Sequence, residues 1–278
     1  MSIRIVTDST CDIPEPFLAE LGITVVPVYV NIGQDSYLDG TELSRAEFYR
    51  RFGAGERVTT AAPSPNTFTD VYNQLAAAGA TEILSLHIAD DLSNTGNVAR
   101  LAGETADIPV TVVDTMQVSV GAGFLVMAAA AAARVGKTMG EITAVLQESR
   151  TRIRIFGMLD TLDALRRGGR VNWAQFGIGT LLQIKPILQV YQGDITVAAR
   201  VRTRKRALQQ MVDMVQTHSP LERLAVLHVD ALETAEYFQQ QLTPYFPAEH
   251  PPFMVEITPA VASHFGLGAV GAACVSKL

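Results

Sequence analysis

Cysteine is scarce in this 278-residue chain. Cys11 and Cys274 are its two, too few for a disulfide framework, and neither they nor the five histidines fall at metal-ligand spacing. Charge is scarce as well, at 18% of residues against about 25% in an ordinary soluble domain. Basic residues are outnumbered, 22 Lys and Arg standing against 28 Asp and Glu, which argues against bulk attraction to nucleic acid or an anionic membrane. No apolar run reaches the roughly 20 residues that span a bilayer. The longest uncharged one, Val118 to Ala133, reads as a buried helix, so no transmembrane segment is expected. The opening MSIRIV enters a strand with no secretory leader ahead of it, and the chain reads as cytoplasmic.

What is abundant is apolar residue, 48% of the chain. Alanine richness explains this, and so does a large buried surface, whether for an apolar ligand or a subunit interface. The net charge of -6 is unevenly spread. Between 150 and 206 stand twelve basic residues against three acids, so that stretch carries +9 and the remainder -15.

In the first half, β-branched runs (IRIVTD, ITVVPVYVNI, EILSLHI, PVTVVD) alternate with helical patterns (EPFLAEL, RAEFYRRF, NTFTDVYNQLAAAG, NTGNVARLAGETA), followed by a small-residue helix over about 118–135. That alternation predicts a mainly parallel sheet. Four polar clusters, DSTCD, TTAAPSP, DDLSNT and DTMQVS, fall at strand ends and are expected to share one crevice, as ligand sites of open α/β sheets do. From about residue 156 the texture changes. KPILQVY and ITVAARVRTR read as a hairpin, followed by a helix, the strand RLAVLHV, the helix LETAEYFQQQL and terminal strands MVEITP and GAACVS. The expected architecture is two α/β domains, 1–155 with a mainly parallel sheet and 156–278 with a mixed one.

Two motif matches fail on mechanics, and two further enzyme patterns are missing. VGKT at 135–138 ends like a phosphate-binding loop, but Ala131 stands where the leading glycine belongs. GLGAVG at 266–271 matches a dinucleotide fingerprint with only seven residues after it, too few for the rest of that site. No G-x-S-x-G elbow or HExxH pattern occurs. The positive signal is hydroxyls at strand-to-helix junctions. Ser93 is placed to cap the helix after EILSLHI, where free first-turn amides favour an anion. In TTAAPSP, Ser64 reads as a helix cap and Pro65 as the first helical residue, leaving Thr60 without a structural task. His264 stands among the glycines of SHFGLG, where bare backbone admits a ligand, although a lone histidine is commonly structural. Cys11 reads as a small buried residue rather than a reactive thiol. RVRTRKR at 200–206 is either a solvated strand end or a docking surface for an acidic or phosphate-bearing partner.

Taken in order, the motifs resemble the DegV family, the fatty-acid-binding subunit of bacterial fatty acid kinase. DSTCDIP is similar to the family's D-S-T-x-D-L/I-P, TTAAPSP to T-S-Q-P-S, LSNTGNVA to L-S-G-T-Y-Q-S-A, and LDALRRGGRV to L-x-x-L-x-x-G-G-R-I. VDTMQVSVGAG, IKPIL, GDI, VRTRKRAL and SHFGLGAVG continue in register. The resemblance implies a buried long-chain fatty acid whose carboxylate is held by Thr60 and Ser93. It also implies a role for His264 at the carboxylate end, with Arg170 and Arg202 as ligand-binding or kinase-facing residues. It implies no catalytic residue, cofactor or metal in this chain. The partner it implies is a separate ATP-binding, dihydroxyacetone-kinase-like subunit that phosphorylates the presented carboxylate to an acyl phosphate in lipid metabolism. Ala61 and Ala62 replace the family's Ser-Gln, Asn94 its glycine, Gly96 its tyrosine and Leu267 its proline. Competing readings are a serine hydrolase using Ser93, a nucleic-acid-binding protein using the basic stretch, and a binder of another small hydrophobic ligand. The oligomeric state stays open.

Overall fold

Strands and helices alternate through the N-terminal half because β-branched runs there are separated by capped amphipathic segments. The computed structural model describes residues 2–171 and 184–278. In chain order the first half comprises β1 (Ile3–Asp8), α1 (Glu15–Leu21), β2 (Ile23–Val26), β3 (Tyr29–Ile32), β4 (Asp35–Leu38), α2 (Arg45–Gly53) and β5 (Val58–Ala61). It continues with α3 (Pro65–Ala77), β6 (Glu82–His87), α4 (Thr95–Gly103), β7 (Val110–Asp114), α5 (Ser119–Arg134) and α6 (Met139–Arg150). The second half comprises β8 (Ile153–Met158), α7 (Asp163–Gly168), β9 (Lys185–Tyr191), β10 (Asp194–Val201) and α8 (Arg204–Gln216). There follow β11 (Leu221–His228), α9 (Leu232–Leu242), β12 (Phe253–Glu256), α10 (Pro259–Phe265) and β13 (Val270–Ser276).

The fold is α/β with two principal sheets. In the N-terminal half β2-β1-β6-β7 pair in parallel throughout. In the C-terminal half β10-β9-β8-β13-β11-β12 form a mixed sheet, parallel at β11–β12 and antiparallel elsewhere. A third, antiparallel sheet of three strands, β4-β3-β5, was not expected. It arises because ITVVPVYVNI is two strands. Pro27 lacks an N–H and fixes its φ, so the ladder ends at Val26 and the chain turns into a different sheet. The helix α6 was also missed, although Thr138 and Glu141 form a capping box at its start. That box absorbs VGKT, whose Gly136 has φ +80° just past the end of α5.

α5 is the packing axis. Twelve of its sixteen residues are buried, and it lies against β1 and β6 of one sheet and β8, β11 and β13 of the other. One apolar core runs through both halves, from Val30 and Leu84 to Ile155, Leu227 and Val275. The outer face of the parallel sheet is covered by Phe68, Tyr72, Ala99 and Ala102 of α3 and α4. The outer face of the mixed sheet is covered by α8 and α9, through Leu208, Met211 and Phe238. Gly121 and Gly123 of α5 leave no open space beside the helix. A Cβ on Gly121 would lie 2.8 Å from Ile155 Cδ1, and one on Gly123 would lie 2.6 Å from the Cys11 carbonyl oxygen. These glycines let the helix touch its neighbours.

Gly123→Ala is therefore expected to destabilise the protein by about 1–3 kcal/mol, since backbone cannot yield as a flexible side chain does. Urea unfolding of the two proteins measures it, and an unchanged midpoint would mean that α5 does not sit this close to the turn after β1.

Candidate functional site

Segments far apart in sequence meet at one apolar cavity of about 160 Å³, lying where the two halves adjoin. Thr10 comes from a one-turn 3-10 helix, Ser9–Cys11, after β1, Thr60 and Ala61 from the end of β5, and Ile88, Leu92, Ser93 and Asn94 from the link between β6 and α4. Val118 precedes α5; Leu165 and Arg170 belong to α7 and the loop beyond it; Ile195 lies in β10; and Ala260, Val261, His264 and Phe265 belong to α10. All four polar clusters expected to converge do so, contributing Thr10, Thr60, Ser93 and Val118. One of them arrives by an unexpected route, because Thr60 sits in the small antiparallel sheet, opposite Val30.

Ser93 is not the helix cap. Asn94 occupies that position without capping the helix amides, its side-chain oxygen accepting instead from Asn97 Nδ2 at 3.0 Å. The Ser93 hydroxyl stands one residue earlier, accepting from Thr95 N at 3.3 Å and sharing a 2.9 Å contact with the Thr95 hydroxyl. The polypeptide thus leaves the start of α4 only partly served, and an anion at the cavity would find donors there. Gly96 leaves room for a neighbouring side chain. A Cβ there would lie 2.4 Å from Asp90 Oδ1, and Asp90 is held by Arg100 at 2.7 Å.

His264 owes its place to Gly168 rather than to the glycines that follow it. A Cβ on Gly168 would press on His264 Nδ1, and that nitrogen is buried with no hydrogen-bond partner among the described residues. Burial, reinforced by the Arg170 guanidinium, pulls the His264 pKa down to about 4, so at neutral pH the ring is an uncharged donor and acceptor. Arg170 lines the same cavity and ties the two halves together. It donates through Nε to the Leu92 carbonyl at 3.3 Å and through Nη1 to the Gly168 carbonyl at 2.7 Å. Thr60, Ser93, His264 and Arg170 therefore share one cavity wall. Arg202 does not; it is exposed between β10 and α8.

A Ser-His-Asp arrangement does exist, away from Ser93. Tyr72 OH donates to Ser85 Oγ at 2.9 Å, Ser85 Oγ contacts His87 Nε2 at 2.8 Å, and His87 Nδ1 contacts Asp8 Oδ2 at 2.8 Å. Asp8 also receives the Thr10 amide at 3.0 Å and the Thr10 hydroxyl. Ser85 and His87 have no exposed surface, so this chain of bonds anchors Thr10 and reaches no substrate. Cys11 is equally enclosed. Its sulfur lies 2.8 Å from the Thr7 hydroxyl, and burial pushes its pKa well up, which removes the thiolate. Among the described residues no His, Cys, Asp and Glu group has the makings of a metal site, and no helix is long and apolar enough to cross a membrane.

A larger cleft, about 490 Å³, lies on the other side of the turn after β1. Asp8, Asp12, Asp39, Glu15 and Glu256 line it against one cation, Arg45, so it would repel a carboxylate. Volume favours that cleft, but electrostatics favours the smaller, apolar cavity with its hydroxyls, imidazole and Arg170.

A sequence profile described as an uncharacterised protein of the DegV family matches residues 2–277. The chain belongs to the DegV family. It is 33% identical to a DegV domain-containing protein of Streptomyces coelicolor over 278 residues, 99% of each chain. A solved DegV family structure from Thermus thermophilus, described by its fatty acid binding, superposes with a TM-score of 0.91 at 33% identity, covering both chains completely. Bacillus subtilis DegV, described as a fatty acid binding protein, gives a TM-score of 0.87 at 29% identity, over 99% of this chain and 100% of that one.

Because the folded-state pKa of His264 lies below the ordinary imidazole value, the stability linked to it is fully present above about pH 6.5 and is lost as pH falls through about 4. NMR titration of the imidazole resonances, with His264→Gln for assignment, is expected to show a midpoint near 4 for His264. A midpoint at the ordinary value would put the ring in solvent.

Proposed function

We propose that this protein binds a long-chain fatty acid and presents its carboxylate to a separate kinase. The observation that carries the reading is the cavity itself, apolar along Val28, Ile88, Val118, Leu165 and Val261, with Thr60, Ser93, His264 and Arg170 on its wall. The fatty-acid-binding descriptions of the Thermus thermophilus and Bacillus subtilis relatives support the ligand class. In this reading Ser93 and Thr60 donate to the carboxylate, the neutral His264 adds one donor, and Arg170 supplies the compensating charge. The tail runs into the apolar interior. A second small cavity, about 30 Å³, shares Val118 and Phe265 with the first and lies between the first residue of α5, Ser119, and strands β8 and β13 of the mixed sheet, which suits a tunnel past the start of that helix.

The transfer energy of the tail favours this reading. Burying roughly 14 to 16 methylenes at about 0.8 kcal/mol each offers on the order of 12 kcal/mol before ordering costs. Tail burial then supplies affinity, and the polar groups set orientation. The kinase partner, ATP-binding and dihydroxyacetone-kinase-like, transfers the γ-phosphoryl group of ATP to a carboxylate oxygen, giving acyl phosphate and ADP. This chain assists by holding the head group near its surface. Exposed Arg202, Lys205 and Arg206, close together at the turn from β10 into α8, offer basic contacts for that partner. A serine hydrolase is disfavoured: among the described residues no hydrogen bond joins Ser93 to a histidine, and the buried Ser85 is out of reach.

Native mass spectrometry of protein purified from a bacterial host is expected to show one long-chain acid bound. Ser93→Ala and Thr60→Val should each weaken rebinding of palmitate or oleate by roughly ten- to a hundredfold, the loss of one hydrogen bond to a charged group. A chain that is empty and binds neither acid would overturn the reading.

A further inference from the structure

Four residues of the cavity wall, Ala260, Val261, His264 and Phe265, ride on α10, which is only seven residues long. A helix this short has no stability of its own, and its first-turn amides need acceptors. Thr258, at the cap position, makes no side-chain cap. Two carboxylates from the opposite half take its place. Thr258 N donates to Asp12 Oδ1 at 2.8 Å, and Ala260 N donates to Asp39 Oδ1 at 3.1 Å.

Both acids are buried, Asp12 at 4% and Asp39 at 1% exposure, and neither forms an ion pair with another described residue. Two buried carboxylates without an ion pair are costly, and burial pushes Asp12 up to about 7 and Asp39 upward, with Arg45 giving Asp39 only a minor opposing attraction. The amides at the positive end of α10 offset that cost. Each acid is itself fixed to the ligand-site scaffold. The Ser119 hydroxyl, at the start of α5, donates to Asp12 Oδ2 at 2.6 Å. Asp39 N donates to the carbonyl of Val28, a cavity residue, at 2.9 Å.

We infer that Asp12 and Asp39 are positioning residues of the ligand site, setting the seat of α10 and with it the place of His264 in the cavity wall. Neither touches the cavity; both act through the helix. The inference rests on the reading of that cavity as the ligand site, but its structural half is testable without any ligand. A helix capped by its own residue would keep its shape wherever it lay. This one is capped from across the seam, so its position and its cap are the same contacts.

The test uses Asp12→Ala and Asp39→Ala, with Asp12→Asn and Asp39→Asn as conservative variants that keep an oxygen acceptor. In the alanine variants α10 shifts and His264 leaves its place against Gly168, so its NMR titration midpoint rises from about 4 toward the ordinary imidazole value. Dissociation of a fluorescent anthroyloxy-labelled palmitate speeds up about tenfold. The asparagine variants return both readouts toward wild type. Folded alanine variants with an unmoved His264 midpoint would overturn the inference. In the wild-type protein, hydrogen exchange of the Thr258 and Ala260 amides is expected to be as slow as in the sheets, and fast exchange there would overturn it without any variant. If wild type binds no palmitate, the fatty-acid reading fails while the His264 and exchange measurements still decide the positioning role.

Discussion

The close approach of α5 to everything around it is the constraint on which the rest of the structure depends. Packed against β1 and β6 on one side and β8, β11 and β13 on the other, this helix joins two sheets into one core, and its glycines leave no clearance for a Cβ. A ligand cavity cannot then be cut through the middle of α5. It forms at the helix's N-terminal end, where Val118 meets the turn after β1, the β6–α4 link and α10. Burial elsewhere is what makes a cavity there affordable, because a void in a well-packed core is costly.

The chemistry of the cavity follows from who lines it. Hydroxyls arrive from the N-terminal half, an imidazole and a guanidinium from the C-terminal half, and Arg170 spans the two by bonding to the Leu92 and Gly168 carbonyls. The groups that might have done nucleophilic chemistry are withdrawn. Ser85 and His87 are sealed behind Thr10, and Cys11 is held as a thiol by burial. What remains accessible is suited to gripping an anion, and the acidic cleft on the far side of the turn is suited to repelling one.

Much of this was legible in the sequence where the signal is local. LETAEYFQQQL is α9 from first residue to last, Ser64 and Pro65 start α3, and the KPILQVY hairpin pairs as expected. Thr60 and Ser93 share a cavity because hydroxyls at strand ends are brought together by the topology itself. What escaped depends on contacts across the chain or on weak punctuation. Pro27 divides one apolar run between two sheets, and a capping box at Thr138 marked a helix that went unread. Nothing near Gly168 announces that His264, almost a hundred positions on, will lie against it. Nor does a sequence pattern tell that Asp12 and Asp39 will cap a helix of the opposite half. The departures from the family motif divide the same way. Gly96 is explained by Asp90, which fills the space beside it, whereas nothing in the structure explains Ala61 and Ala62.

The central claim is that an acyl chain lies in this cavity with its carboxylate at the hydroxyl and imidazole wall. A crystal structure of the protein soaked with palmitate tests it most directly. The account predicts carboxylate oxygens within hydrogen-bonding distance of the Ser93 and Thr60 hydroxyls, with the tail passing Val118 and Phe265. A palmitate bound in the reverse sense, or lodged in another cleft with this cavity empty, would contradict it.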